Sequence, residues 1–373
     1  MSHSDGDQAG RRIRIEPTTI LPSPAFDVRY PRVRNAELIA PPSLHGMEQS
    51  WARGTFPERA IEVFDIPGAY LVDECLVMDR HLQVIENASD VYTDEEIARA
   101  VDAIRIREAA HKLPHHDRPG IVAKRRAVSN YGHFLMEMLP MAVLGQAVAG
   151  TTDVWYVSHH TLSATMDAVF RAFRLLGVPP VRVLTPTWSD PIWFDRLIIV
   201  RGLTEHGRFM SPLALWGAER LAQAVAAKGG IPDSRYERLF VRRVPGWGRG
   251  RDMHNEAEVA RRLEAQGFLL IEPGVMPLEE QIAAFASARH VVGVCGAAMT
   301  NIAFCQPGTK VTMLWPASFP DVFFWFICTH RQLDYLEVRG DQTRTEGADP
   351  WQDGFTLREA DIQYLETVRT RLA

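Results

Sequence analysis

From about residue 235 onward, short continuous apolar runs alternate with stretches of helical period. "RLFVRR" (238–243), "FLLIE" (268–272), "HVVGV" (290–294) and "KVTMLW" (310–315) read as buried strands. Between them, "NEAEVARRLEAQG" (255–267) and residues 277–288 repeat their apolar positions at helical spacing. Strands alternating with helices predict a parallel sheet covered on both faces. The first half shows a looser version of this texture. Residues 60–90 hold short β-type runs broken by "PG" and "DR", which suggests a small meander, and 95–110 follow as a helix behind Asp94. "VWYVS" (154–158), "VRVL" (181–184) and "FDRLIIV" (194–200) then read as strands, with helices over 162–177 and 214–228. The aromatic run at 319–338 reads as a buried helix and strand. "GGIPDS" (229–234) is the best linker on Gly and Pro content.

These elements predict two α/β domains. Residues 1–55, rich in Pro, Arg and Ser, read as an extended or poorly ordered arm. Residues 56–230 form the N-terminal α/β domain, with a small β-rich extension. Residues 231–350 form a Rossmann-like domain, and 351–373 a terminal helix that crosses back to the first domain. Length agrees, because 373 residues exceed one ordinary core. With 46% hydrophobic and 23% charged residues the composition is that of a soluble globular protein, and a net charge of -5 argues against nucleic-acid binding. Cys75, Cys295, Cys305 and Cys328 form no CxxC pair, so neither a zinc knuckle nor a redox dithiol is expected. The polar N-terminus lacks a secretory h-region, and no run of 18 apolar residues offers a membrane span. A cytoplasmic protein is expected, with peripheral membrane contact left open.

Candidate chemistry concentrates in three stretches. In "SNYGHFLMEMLP" (129–140), His133 and Glu137 stand four residues apart, hence side by side on a helix, with Asn130 a turn earlier and Pro140 limiting the helix. Such a pair either braces the helix or serves as a base with its partner, since imidazole titrates near pH 6.5. In "HVVGVCGAAMTNIAFCQPGTKV" (290–311) a buried strand ends at Gly296, and small residues lead into a short helix starting near Met299 or Thr300. Such a turn lets backbone N–H groups approach an anion. It is neither GxGxxG nor a P-loop. "FVRRVPGWGRGRDMHNE" (240–256) adds Arg242, Arg243, Arg249 and Arg251 around Gly246, Gly248 and Gly250. Guanidinium forks suit a diphosphate. No DxD stands at a strand end, and "HKLPHHD" (111–117) lacks metal-ligand spacing and reads as a loop, so no metal site is expected.

The order "NYGHFLMEMLP", "FVRR…RGRDMHNEAEV", "LEEQIAAFASARHVVGVCGAAMTNIAFCQPGTKV" resembles glycosyltransferase family 61, the DUF563 group, over roughly residues 60–320. The resemblance implies a GT-B architecture, two Rossmann-like domains facing a cleft, with an inverting mechanism and a nucleotide-sugar donor held mainly by the C-terminal domain. By motif position, Arg242 and Arg251 match the family's basic residues, Asn255 and Glu256 its "NE", Gln281 its "EQ", and Gly296, Thr300 and Asn301 its "GAGLTN". Arg243 and Ala297 complete the expected donor site. His133 is the expected base with Glu137 as its partner, facing the cleft opposite 296–301, and Asn130 and Tyr131 lie on the acceptor side. The expected donor is UDP-linked, with no further cofactor, and the acceptor a saccharide, glycolipid or other hydroxyl. Two positions depart from the family: Cys295 stands where histidine is common, and Met313 where the next strand commonly carries an acid. They motivate an alternative, a non-catalytic nucleotide- or sugar-binding protein on the same scaffold. An oxidoreductase fits less well, because the glycine spacing and the acidic ribose residue are missing.

Overall fold

The computed structural model describes residues 8–126, 130–187, 190–229, 233–243, 250–344 and 353–367. Gly246, Gly248, Arg249, part of the 229–234 linker and the chain beyond 367 lie outside these. The chain forms two compact units, Met1–Pro24 with Glu58–Thr204 and Ala25–Pro57 with Glu205–Ala373. Each is mixed α/β.

In the first unit the main strands are β1 (Arg59–Val72), β2 (Gly120–Ala123), β3 (Trp155–Ser158), β4 (Val183–Leu184) and β5 (Ile192–Arg201). Strands β5, β2, β3 and β4 lie parallel in that spatial order, and β1 joins β5 antiparallel. Strand β2 is buried along its whole length, as its unbroken apolar run requires. The following helix crosses it at Gly145, where a Cβ would stand 2.7 Å from Ile121 Cγ2, so a larger residue would push the helix off the sheet.

The second unit contains β6 (Arg238–Val241), β7 (Leu269–Ile271), β8 (His290–Val294), β9 (Lys310–Pro316) and β10 (Asp334–Thr343), parallel in the order β7-β6-β8-β9-β10. Its core joins Phe240, Val259, Leu263, Val292, Leu314 and Val338.

Three features differ from expectation. Residues 1–55 are not an unstructured arm where they are described. Thr19–Ser23 pairs with β1, Arg32–Arg34 pairs with β10, and the helix Pro41–Trp51 buries Met47 and Trp51. The passage between the units falls at Thr204/Glu205 rather than near 230, because the helix Trp216–Ala227 buries Leu221 and Val225 and packs on Leu278–Ser287. The helix Glu359–Thr367 does not leave its unit. Ile362 and Leu365 join the second core, and Arg262 holds Glu366 at 2.7 Å and Glu359 at 2.8 Å. Among the described residues no helix is long and apolar enough to cross a membrane.

Two buried histidines, His159 and His290, and the half-buried His330 make stability depend on pH. Burial pushes His159, His290 and His330 each down to about 4. A folded pKa below the unfolded one means that stability is complete above about pH 6.5 and is lost as pH falls toward 4, at about 1.4 kcal/mol per pH unit for each group. Half-buried Asp73 and Glu256, whose pKa values desolvation raises, pull in the opposite direction. Denaturant unfolding of His330→Gln should therefore change roughly 2 kcal/mol less than wild type between pH 6.5 and 5. An unchanged pH slope would show that His330 is not held neutral.

Candidate active site

The N-terminal cluster grows from the turn after β2. Asn130 caps a helix, its Oδ1 accepting the His133 N–H at 3.2 Å. The helix does not stop at Pro140. After one α turn, Tyr131–His133, it widens into a π turn, Phe134–Met138, and continues as Leu139–Ala149. Proline normally clashes with the carbonyl four residues back, and the wider turn relieves that contact. The Leu139 N–H reaches Phe134 O instead, five residues back. Single π turns inside α-helices recur at functional sites because they re-aim side chains.

Here the re-aimed side chains are His133 and Glu137, with Nδ1 and Oε1 2.6 Å apart. Glu137 is only 7% exposed, among the buried Phe134, Leu135, Met136 and Met138. A carboxylate so placed needs a charged or donating partner. It accepts Nδ1–H, which leaves Nε2 as the basic nitrogen. Burial also pushes the Tyr131 phenol up, so it stays protonated. Parallel strands carry their sites at the carboxyl edge, and a second polar group stands there, unnoticed in the sequence. Lys124, directly after β2, is buried, its pKa pushed down to about 8 by desolvation, and its Nζ donates to the Asp73 carbonyl. Arg201, at the end of β5, pairs with Asp90 at 2.8 Å. The only sequence signal was their position one residue past, or last in, an apolar run.

The second cluster lies within the other unit. Its strand order reverses between β6 and β8, the place where open parallel sheets bind ligands. Arg242 and Arg243 leave β6 there, and Cys295 and Gly296 leave β8. Arg243 Nη1 donates to the Cys295 carbonyl at 2.9 Å. It passes so near Gly296 that a Cβ would stand 2.9 Å from it. Glu256 accepts the Arg243 N–H at 3.2 Å and lies 3.6 Å from Arg242 Nε. Its own pKa is raised by burial, against the pull of these two partners. Arg242 also reaches Glu272 at 3.1 Å. Arg251 takes φ 64, a left-handed conformation unusual for arginine, and lays its guanidinium over Phe319, 4.8 Å from the ring centre.

The polar atoms left over carry the most information. The Nε atoms of Arg242, Arg243 and Arg251 and the Thr300 hydroxyl are buried without a hydrogen-bond partner among the described residues. Buried donors are seldom orphaned, and here two of the three guanidinium nitrogens have only carboxylates at 3.5–3.6 Å, beyond good hydrogen-bond geometry. Burial lowers the Arg243 pKa even though the Asp252 carboxylate lies 3.5 Å from its Nε and Glu256 stands nearby. An anion would satisfy the cluster.

Other residues expected in the donor site are engaged elsewhere. Asn255 clamps Leu357, donating to its carbonyl at 2.9 Å and accepting its N–H at 3.1 Å. Asn301 donates to Gln281 at 2.8 Å, and Gln281 to the Met276 carbonyl at 2.9 Å, a buried brace beneath the loop. The short helix starts at Ala297, two residues earlier than expected, as one 3-10 segment Ala297–Phe304. Met313 faces Glu337 across the sheet register, but that carboxylate is tied to Arg339 and Tyr335.

Residues 131–312 match the model of the family described as Glycosyltransferase 61. The matched stretch contains His133, Glu137, the three arginines and the loop at 296–301. No curated protein matches the chain.

Proposed function

Since residues 131–312 make this chain a member of glycosyltransferase family 61, and hence a glycosyltransferase with a donor and an acceptor, we propose that it transfers sugar from a nucleotide-sugar, UDP-linked in the first instance, with inversion. The observation that carries the proposal is the set of orphaned arginine donors at the turn between β6 and β8. Arg242, Arg243 and Arg251 hold the diphosphate, and Glu256 sets two of them in place. As the bond from the anomeric carbon to phosphate breaks, the leaving diphosphate gains negative charge, and the arginines stabilise it. The acceptor hydroxyl, of a saccharide, glycolipid or similar compound, attacks from the opposite face. His133 Nε2 takes its proton, and Glu137 balances the imidazolium that results. Asn130 and Tyr131 shape the acceptor side, and the two units divide the work as halves of a GT-B enzyme.

The test is binding and turnover with UDP-, GDP-, CMP- and ADP-linked sugars. Wild type should bind one class, and Arg242→Ala or Arg251→Ala should weaken it about 10- to 100-fold, the worth of a charged hydrogen bond. Unchanged affinity in both variants would remove the arginines from the donor site. Binding without sugar transfer to any acceptor or to water would favour the non-catalytic alternative.

A further inference from the structure

A cavity of about 500 Å³ opens in the second unit next to the arginine cluster. Its lining includes Leu38, Ala40, Ser43, Phe319, Asp341 and Arg344. All six lie outside the stretch that matches the family. Phe319 links cavity and cluster, since it lines the first and carries the Arg251 guanidinium on its ring. The register pairs Pro316 with Gly340, so the cavity sits just past the carboxyl end of β9 and beside the last residues of β10.

The walls are built in advance. The Ala40 N–H donates to Ser318 Oγ at 3.0 Å, Ser43 Oγ donates to the Ser318 carbonyl at 2.9 Å, and the Ser318 N–H donates to Gln342 Oε1 at 2.8 Å. Phe319 is fixed from below by Trp315, its ring stacked at 5.5 Å. This volume lies in the usual range for a small-molecule site.

We infer that this cavity takes the nucleoside half of the donor, a role that rests on the donor reading above. The diphosphate sits over β6 and β8, and β10 lies two strand spacings from β8, about 10 Å away. A nucleoside attached to that diphosphate covers this distance. Leu38, Ala40 and the Phe319 edge offer an apolar wall for a planar base. The Ser43 hydroxyl accepts a hydrogen bond from a ribose hydroxyl or a base edge, and the Asp341 carboxylate, oriented by Arg358 on its two oxygens at 2.9 and 2.6 Å, accepts another on its remaining lone pairs. The N-terminal segment thus contributes directly to donor selection.

Calorimetric titration separates the two claims. Pyrophosphate and the nucleoside diphosphates UDP, GDP, CDP and ADP are titrated into wild type, Ala40→Trp, Asp341→Asn and Arg251→Ala. Both cavity variants should weaken the preferred nucleoside diphosphate by at least about tenfold and leave pyrophosphate unchanged, whereas Arg251→Ala weakens both. If the cavity variants bind nucleotide like wild type while Arg251→Ala loses it, the donor site stands and the cavity assignment is overturned. The cavity assignment is equally overturned if wild type binds pyrophosphate as tightly as every nucleotide, or if the cavity variants alter only the acceptor KM. If wild type binds neither pyrophosphate nor nucleotide, both claims fall. Should Ala40→Trp not fold, Asp341→Asn decides.

Discussion

His133→Ala is expected to lower sugar-transfer turnover by about 10²–10⁴, the usual worth of a positioned general base, while nucleotide affinity stays at the wild-type level. The two readouts separate because His133 and the arginine cluster belong to different units of the chain. Glu137→Gln should have a smaller effect. Glutamine keeps the volume and still accepts Nδ1–H, but it cannot compensate the imidazolium that forms when the proton arrives. A hydrogen bond to a charged group is worth about 1.5–3 kcal/mol, so a fall of roughly 10- to 100-fold follows. The rank order matters as much as the size. A pair that merely braced the helix would show the reverse, with stability lost in both variants and turnover per folded molecule retained. Near-wild-type turnover in folded His133→Ala and Glu137→Gln would end the assignment.

Arg339→Met and Glu337→Gln are each expected to destabilise the protein by about 3–5 kcal/mol, because each strips the partner from a fully buried charge. Both side chains have 0% exposure and form an ion pair, with Arg339 Nε 2.9 Å from Glu337 Oε2. Tyr335 donates to Glu337 at 2.8 Å, Arg339 Nη1 donates to the Phe319 carbonyl at 2.7 Å, and the guanidinium lies 5.1 Å from the Trp315 ring centre. The double variant Arg339→Met/Glu337→Leu should recover most of the loss, since a well-packed apolar pair can replace a buried ion pair at little cost. Denaturant unfolding of the single and double variants forms the cycle that measures this. Additive losses would show that the two residues act independently. Arg339 also fixes the carbonyl of the residue on which Arg251 lies, so Arg339→Met should weaken nucleotide binding even where the protein remains folded.

The second sheet was legible almost residue by residue. "HVVGV" is β8 with the same ends, and the other three runs match β6, β7 and β9 to within two residues. Strands buried on both faces must be apolar throughout, and polar turns mark their limits. The pairing of His133 with Glu137 was equally visible, because helical spacing alone brings them together. What escaped notice depends on partners far away in the chain. Nothing in residues 25–57 announces that Arg32–Arg34 pairs with β10 or that Asn35 donates to the Arg339 carbonyl at 2.8 Å. Pro140 reads as a helix stop, and only the π turn shows how it is passed. Glu337 and Arg339, two apart on one face of an apolar strand, were a readable sign of a buried pair. Asn255 and Asn301 carry side chains suited to ligands, yet the fold uses both to hold backbone and brace loops.

The pairing of Arg32–Arg34 with β10 also sets a timetable for synthesis. These strands are separated by roughly 300 residues, so at 5–20 residues per second the first waits roughly 15–60 s for its partner to emerge. During that interval the nascent segment can neither bury Met47 and Trp51 nor cap the sheet edge. A fragment beginning at residue 205 would never meet it, and part of β10 would remain an open edge, prone to pair with other chains. Soluble production of the second unit therefore requires residues 25–57 to be supplied, either in the same chain or as a separate peptide.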